Sequence, residues 1–169
     1  MSTRIQIQQG DITQQIVNAI VNAANTSLLG GGGVDGAIHR EAGPELLEFN
    51  RKLGGCKTGE AKISPGFKLP SKFIIHTVGP VWTGGQNNED NLLANCYKNS
   101  LKLAVENKIK TIAFPAISTG VYRFPLERAT KIAVEEVKKF LEKNKSVEKV
   151  IFVCFDEETY QVYEKILNK

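Results

Sequence analysis

The chain has 169 residues, of which 41% are hydrophobic and 24% are charged. This length favours one domain over residues 1–169 with a substantial core, the composition argues against global disorder, and no apolar run approaches the roughly 18 residues of a membrane-spanning helix. The formal net charge of +4 is too small to predict nucleic acid binding by itself, but it is compatible with an anionic small ligand.

The cysteine, histidine and N-terminal patterns narrow the class further. Three cysteines are widely spread and the two histidines stand alone, so the sequence predicts neither a disulfide framework nor a dedicated metal site. Residues 1–6 contain no basic segment that leads into an apolar stretch. We therefore expect a cytoplasmic protein.

Strand and helix patterns alternate along the whole chain, which predicts a layered α/β fold. The strand patterns are short apolar or alternating runs, and their continuity favours a largely parallel inner sheet. In chain order, strands are predicted at residues 4–8, 16–21, 73–78, 111–114 and 150–155, and helices at 34–42, 45–53, 91–107, 126–141 and 157–167.

Four consecutive glycines, Gly30–Gly33, lie between a predicted strand and a predicted helix. Glycine weakens regular structure, so such a run is expected where the backbone turns sharply or approaches another group. The free N–H groups and the dipole at the start of the following helix favour an anion. A flexible linker is the weaker alternative, because ordered patterns flank the run on both sides.

Two common phosphate-binding motifs fit this loop poorly. Gly31, Gly33 and Gly36 have the spacing of a dinucleotide fingerprint, but the tight turn and the later acidic residue of that motif are missing. The pair Lys57–Thr58 follows Cys56 and lacks the glycine pattern of a P-loop.

A second loop, residues 115–125, also joins a strand to a helix. Ala116, Ser118 and Gly120 resemble a nucleophile elbow, yet both histidines precede Ser118, which is the wrong order for that type of hydrolase. Ser118 is therefore expected to donate to a phosphate. Because ligands of α/β sheets bind beyond the carboxyl ends of the strands, the two loops are expected to face one diphosphate.

Five motifs in order along the chain resemble a macrodomain of the MacroD type, the family that binds ADP-ribose and hydrolyses ADP-ribosyl esters. The resemblance covers nearly the whole chain and implies a three-layer α/β/α sandwich around a mixed, mostly parallel sheet of about six strands. The motifs are GDIT at 10–13, VNAAN at 21–25, GGGGVDG at 30–36, IHTVGP at 75–80 and ISTGVY at 117–122.

The resemblance implies binding roles for several residues. Asp11 matches the carboxylate that accepts from the adenine amine, Ile12 supplies a backbone contact, and Phe155 matches an aromatic beside the adenine. On sequence alone Asp11 is equally a helix N-cap and Phe155 a core residue at a strand end. The loop residues matched to the rest of the ligand are Gly32, Gly33, Val34, Ser118, Thr119, Gly120, Val121 and Tyr122.

Asn25 and Asp35 match the pair associated with hydrolysis in this family. The resemblance places both beside the terminal ribose, with Asp35 orienting and activating water and Asn25 holding a ribose hydroxyl. A neighbouring diphosphate is expected to raise the pKa of Asp35. Without the resemblance, an asparagine in a turn and an aspartate in a first helical turn would be the simpler interpretations.

Three further residues have open or structural interpretations. His39 lies one helical turn after Asp35, although a packing role is commoner, and His76 in an apolar strand is expected to be a core residue. Many relatives carry glycine where this chain has Arg123, so that position either strains its backbone or adds a cation beside the phosphate loop.

The predicted function is metal-independent hydrolysis of ADP-ribosyl esters, with no cofactor. Its substrates would be O-acetyl-ADP-ribose and proteins carrying mono-ADP-ribose on acidic side chains, with ADP-ribose as bound product. The alternatives are a non-catalytic ADP-ribose reader and, least favoured, an RNA-binding or RNase-regulating protein. A monomer is the default expectation.

Overall fold

A computed structural model describes residues 4–168 of the chain. Within that range the chain forms six strands and five α-helices. The strands are β1 (Ile5–Gln9), β2 (Ala19–Ala23), β3 (Ala61–Pro65), β4 (Phe73–Thr77), β5 (Thr111–Phe114) and β6 (Lys149–Cys154); the helices are α1 (Gly33–Ala42), α2 (Pro44–Leu53), α3 (Glu89–Glu106), α4 (Leu126–Lys143) and α5 (Glu157–Leu167).

The strands form one mixed sheet in the order β1-β6-β5-β2-β4-β3. Every neighbouring pair is parallel except β3 and β4, which are antiparallel. The carboxyl ends of five strands therefore meet at one edge of the sheet, which is where α/β folds build their ligand sites.

Helices cover both faces of the sheet, because alternate residues of the central strands are apolar on both sides. On one face, Val21 and Phe114 pack with residues of α3, α4 and α5, including the fully buried Tyr97 and Tyr163. On the other face, Ile20, Ile74 and Ala113 pack with residues of α1 and α2. The result is the expected three-layer α/β/α sandwich.

The prediction of a strand over residues 16–21 was wrong at its start. β2 spans Ala19–Ala23, and the side chain of Ile16 is 89% exposed. Asn18 explains the late start, because its Oδ1 accepts from the backbone N–H groups of Lys110 and Thr111 at 2.9 and 3.2 Å. That contact fixes the chain beside β5 just before β2 begins.

β3 was not predicted from the sequence, and the last strand ends one residue earlier than expected, at Cys154. β3 is a short edge strand that carries Lys62 and ends on Pro65, a residue tolerated at sheet edges. Only its antiparallel pairing with β4 defines it.

None of the helices formed by residues 4–168 is both long and apolar enough to cross a membrane. Residues 1–3 and 169 lie outside the described residues. The prediction of a cytoplasmic protein came from residues 1–6, which include the first three of these.

Candidate active site

Four loops follow β1, β6, β5 and β2 at the carboxyl edge of the sheet, in that spatial order. They carry Asp11, Phe155, the loop 115–125 and the glycine-rich loop, respectively. From β1 to β2 there are three inter-strand steps of about 4.8 Å, so these residues span about 14 Å. An elongated ligand could contact all four loops at once.

Asn25 organises the beginning of the glycine-rich loop. Its Nδ2 donates to the Gly30 carbonyl at 2.8 Å, and its Oδ1 accepts from Ser27 Oγ at 2.7 Å and from the Leu28 N–H at 3.2 Å. Both lone pairs of the amide oxygen are then used, and one N–H remains on Nδ2. Asn25 is thus a turn residue in the structure, with one donor left for another group.

The glycines bring Asn25 and Asp35 close together. A Cβ on Gly31 would lie 3.3 Å from both Asn25 Nδ2 and Asp35 Oδ2, so the two side chains approach the same point beside this glycine. Gly31, Gly32 and Gly33 are exposed, and α1 begins at Gly33 without a side-chain cap from the described residues. The first amides of α1 consequently remain available to an anion.

Asp35 is a buried carboxylate, 4% exposed, in the first turn of α1. Its Oδ1 accepts from Asn22 Nδ2 at 2.9 Å and lies 3.4 Å from His39 Nε2, whereas Oδ2 is the oxygen directed toward Gly31. Burial raises the pKa of Asp35, while the Asn22 hydrogen bond and His39 lower it. Burial outweighs the other two influences, so the pKa of Asp35 lies above its ordinary value.

A chain of buried polar side chains supports Asp35 from below. Asn22 Nδ2 also contacts His76 Nδ1 at 3.1 Å, and His76 Nε2 contacts Ser64 Oγ at 2.8 Å. His76 is fully buried, in agreement with the core position expected for it, and burial lowers its pKa to about 3. Sequence reasoning missed Asn22 and Ser64, since each is a single polar residue in a strand.

The second loop has a strained backbone at Ser118 and Arg123, with φ values of 67° and 62°. The Arg123 side chain is exposed and its backbone is left-handed, a conformation that favours glycine, so the alternative of a strained backbone is the one observed. Ser118 is 6% exposed, and within the described chain its Oγ has no hydrogen-bond partner. A Cβ on Gly79 would overlap that oxygen, so Gly79 is required beneath Ser118.

The other residues of the second loop differ in exposure. Thr119 is half-buried and its Oγ1 donates to the Ala116 carbonyl at 3.1 Å, while Gly120 is exposed and Val121 is 92% exposed. Tyr122 is half-buried, and its carbonyl accepts from the Trp82 N–H at 2.8 Å.

The segment that follows β4 borders this loop and was not singled out from the sequence. Glu89 is 2% exposed and accepts from the backbone N–H groups of Thr83, Gly85 and Asn87 at 2.8, 2.9 and 2.6 Å. These bonds lower the pKa of Glu89 to about 2. The carboxylate thus fixes the loop that places Trp82 against the second loop.

At the far end of the edge, Asp11 and Phe155 follow the neighbouring strands β1 and β6. The Asp11 carboxylate accepts from the Thr13 N–H at 2.9 Å and caps the 3-10 helix Ile12–Gln14. Ile12 is buried, whereas Phe155 is 84% exposed. The alternative of Phe155 as a core residue at a strand end is wrong, because the strand ends at Cys154 and the ring faces solvent.

The predicted site residues follow four strands that share an edge, so the structure brings them to one side of the molecule. Gly32, Gly33 and Val34 lie at the start of α1. Val34 also packs against the buried apolar residues between the sheet and the helices α1 and α2. Across residues 4–168, no three His, Cys, Asp or Glu side chains are arranged to hold a metal ion.

Known proteins of other organisms are similar to this chain over nearly its whole length. A macro domain protein of Chlorobaculum tepidum is 62% identical over 159 residues, which cover 94% of this chain and 92% of that protein. A protein of Escherichia fergusonii named O-acetyl-ADP-ribose deacetylase is 56% identical over 173 residues, covering 100% of this chain and 98% of its own length.

Solved macrodomains have the same fold. The Trypanosoma brucei macrodomain in complex with ADP-ribose has a TM-score of 0.93 at 45% identity, covering 97% of this chain and 69% of that one. The Oceanobacillus iheyensis macrodomain with ADP has a TM-score of 0.91 at 48% identity, covering 96% and 88%. The macro domain family model matches residues 21–133, which include both glycine-bearing loops and Asp35, and the chain belongs to the macro domain family.

Proposed function

We propose that this protein is a hydrolase that binds ADP-ribosyl esters along the carboxyl edge of its sheet and cleaves the ester at the distal ribose. The observation that carries the proposal is that Asn25 Nδ2 and Asp35 Oδ2 both lie 3.3 Å from the point that a Cβ on Gly31 would occupy. The relatives named O-acetyl-ADP-ribose deacetylase support the same chemistry.

The loops suit the binding of a nucleoside diphosphate sugar. The adenine would lie at Asp11, Ile12 and Phe155, and the diphosphate between the first amides of α1 and the loop 118–122. Ser118 Oγ is a buried hydroxyl without a partner in the described chain, and such a group is stabilised when it donates a hydrogen bond to a phosphate oxygen. Related macrodomains have been solved in complex with ADP and with ADP-ribose, which supports this class of ligand.

Asp35 would act as the general base in the hydrolytic step. Its Oδ1 is engaged by Asn22, so Oδ2 is the oxygen left to accept a proton from water. The water oxygen attacks the acyl carbonyl while Asp35 takes its proton, the bond between the acyl carbon and the ribose oxygen breaks, and that oxygen leaves with the proton returned by Asp35. The products are ADP-ribose and a carboxylic acid, and loop amides stabilise the negative charge that develops on the carbonyl oxygen.

Two ester classes fit this chemistry, namely acetyl groups on the ribose and acidic protein side chains that carry mono-ADP-ribose. The scheme requires no cofactor and no metal, because a carboxylate supplies the base and backbone amides supply the donors. We also propose that a monomer in the cytoplasm carries out the reaction, and that turnover is unchanged by a chelator.

The test compares turnover of O-acetyl-ADP-ribose with binding of ADP-ribose in wild type, Asp35→Asn and Asn25→Ala. Loss of a general base lowers kcat by about 10²–10⁴-fold, so Asp35→Asn should lose turnover while binding ADP-ribose within a few-fold of wild type by calorimetry. Glu41→Gln, which changes an exposed carboxylate on the same helix, is the matched control and should behave as wild type.

Asn25→Ala should weaken both binding and turnover, because Asn25 also holds the loop through three hydrogen bonds. If wild type binds ADP-ribose but hydrolyses neither ester class, the protein is a reader and the proposal fails. If it binds RNA in preference to ADP-ribose, both the reader and the hydrolase are excluded.

A further inference from the structure

A directional hydrogen-bond chain crosses three adjacent strands beneath α1. Ser64 lies on β3, His76 on β4 and Asn22 on β2, and Asn22 is the register partner of His76. All three side chains are at most 2% exposed. The chain ends at Asp35, the carboxylate assigned above as the base.

The donor count fixes the direction of each bond. Asn22 Nδ2 lies 2.9 Å from Asp35 Oδ1 and 3.1 Å from His76 Nδ1, and an amide nitrogen carries two hydrogens. A carboxylate only accepts, so one hydrogen serves Asp35 and the other serves His76. His76 Nδ1 must then be unprotonated.

The proton of neutral His76 consequently lies on Nε2, which donates to Ser64 Oγ at 2.8 Å. The Ser64 hydroxyl in turn donates a hydrogen bond to the Pro65 carbonyl at 3.2 Å. Ser64 Oγ thus accepts from Nε2–H, which stabilises the Nε2–H tautomer of His76 over the Nδ1–H tautomer.

The opposite tautomer would disturb Asp35. A proton on Nδ1 would face an N–H of Asn22, and relief would require the Asn22 amide to rotate by half a turn. Its Oδ1 would then face Asp35 Oδ1, which places two acceptors against each other in a buried site. The carboxylate would turn or take up a proton, and Oδ2 would lose its direction toward Gly31.

We propose that Ser64 and His76 are positioning residues for the hydrolytic reaction: Ser64 holds His76 in its Nε2–H tautomer, and His76 fixes the Asn22 amide that orients Asp35. The kinetic consequence of this inference rests on the proposed function, whereas the tautomer of His76 can be measured whether or not the protein is a hydrolase. Because burial keeps His76 neutral, with a pKa of about 3, the tautomer and not the charge is the variable that Ser64 controls.

The first experiment is ¹⁵N NMR of the histidine rings in the wild-type protein at pH 7. Long-range proton–nitrogen correlations distinguish the two neutral tautomers of His76, and the Nε2–H form is expected. Observation of the Nδ1–H form or of a protonated ring in wild type would overturn the proposal, whatever the enzymatic activity.

The second experiment compares Ser64→Ala with two other variants. Ser64→Ala should increase the Nδ1–H tautomer and lower kcat for O-acetyl-ADP-ribose by about tenfold, the equivalent of one hydrogen bond, with the ADP-ribose Kd within twofold. Ser100→Ala removes another fully buried serine hydroxyl, which lies on α3 and has no hydrogen-bond partner among residues 4–168, and should leave tautomer and kcat unchanged. Ser64→Thr keeps a hydroxyl at this position and should therefore have the His76 tautomer and the kcat of wild type.

The readouts separate this inference from the proposed function. If wild type hydrolyses neither ester class, the proposed function fails, and the inference is then judged by whether Ser64→Ala shifts the tautomer. If wild type is active and Ser64→Ala alters neither tautomer nor kcat, or lowers kcat only together with binding, the positioning role is refuted.

Discussion

Gly36 is the position where helix propensity and the geometry of the site make opposite predictions. It lies inside α1, where alanine is favoured over glycine by about 1 kcal/mol. A Cβ there would lie 2.5 Å from the Gly31 carbonyl oxygen, whereas ordinary contact begins near 3.4 Å. Because the obstacle is backbone, Gly36→Ala must displace the glycine-rich loop by about 0.9 Å.

The magnitude follows from these two opposing effects. Overpacking of this kind destabilises by about 1–3 kcal/mol, so the net effect of Gly36→Ala is a loss of about 0–2 kcal/mol rather than a gain. A displacement near 1 Å at a reacting centre lowers the rate by about 100-fold. The loss of kcat/KM should therefore be much larger than the loss of stability suggests.

Urea unfolding and turnover of O-acetyl-ADP-ribose measure the two quantities. Ala37→Gly, at the next position of α1, reports helix propensity without the loop contact and should lose about 1 kcal/mol. If Gly36→Ala is more stable than wild type by about 1 kcal/mol and retains its turnover, the close approach of Gly31 to α1 does not exist in solution.

Three further outcomes follow from individual residues. Buried His76 stays neutral down to about pH 3, whereas an unfolded histidine protonates near pH 6.5. Below pH 6.5 the free energy of unfolding should therefore fall by up to about 1.4 kcal/mol per pH unit. Urea titration should show a weaker pH dependence in His76→Gln. Glu89→Gln should accelerate hydrogen exchange at the amides of Thr83 and Gly85, which lose their carboxylate acceptor, and equal rates in both proteins would contradict this. At the positive φ of Arg123, Arg123→Gly should be more stable than Arg123→Ala by about 1 kcal/mol in thermal unfolding, and the reverse order would exclude the left-handed backbone.

The elements that could be predicted at their exact bounds carry a local signal at one end. β5 and α5 have the predicted bounds, because Pro115 follows the last residue of β5 and the Asp156 carboxylate caps the start of α5 by accepting from the Thr159 N–H. The apolar run at residues 16–21 failed because exposed Ile16 is indistinguishable by pattern from a strand residue, and the contact that starts β2 reaches from Asn18 to Lys110. β3 exists only through its pairing with β4, which no local pattern records.

The same distinction holds in the site. Asn25 and Asp35 could be proposed from a motif because the glycines between them are a local signal. Ser64 and His76 could not, since no motif joins them and they meet only through the pairing of β3, β4 and β2. A buried polar residue in an apolar strand is a weak signal alone, and its meaning depends on the polar residue opposite it.

Unfavourable features concentrate at the carboxyl edge of the sheet. Among residues 4–168, six buried side-chain atoms have no hydrogen-bond partner, and three of them, on Asn22, His39 and Ser118, are at this edge. Ser118 also has a left-handed backbone, and Asp35 is a buried carboxylate. Each feature opposes folding by itself, so the packed layers on both faces of the sheet must maintain them. A bound anion that accepts from Ser118 would remove one of these penalties in the folded state only, and ligand binding should therefore stabilise this edge more than any other part of the molecule.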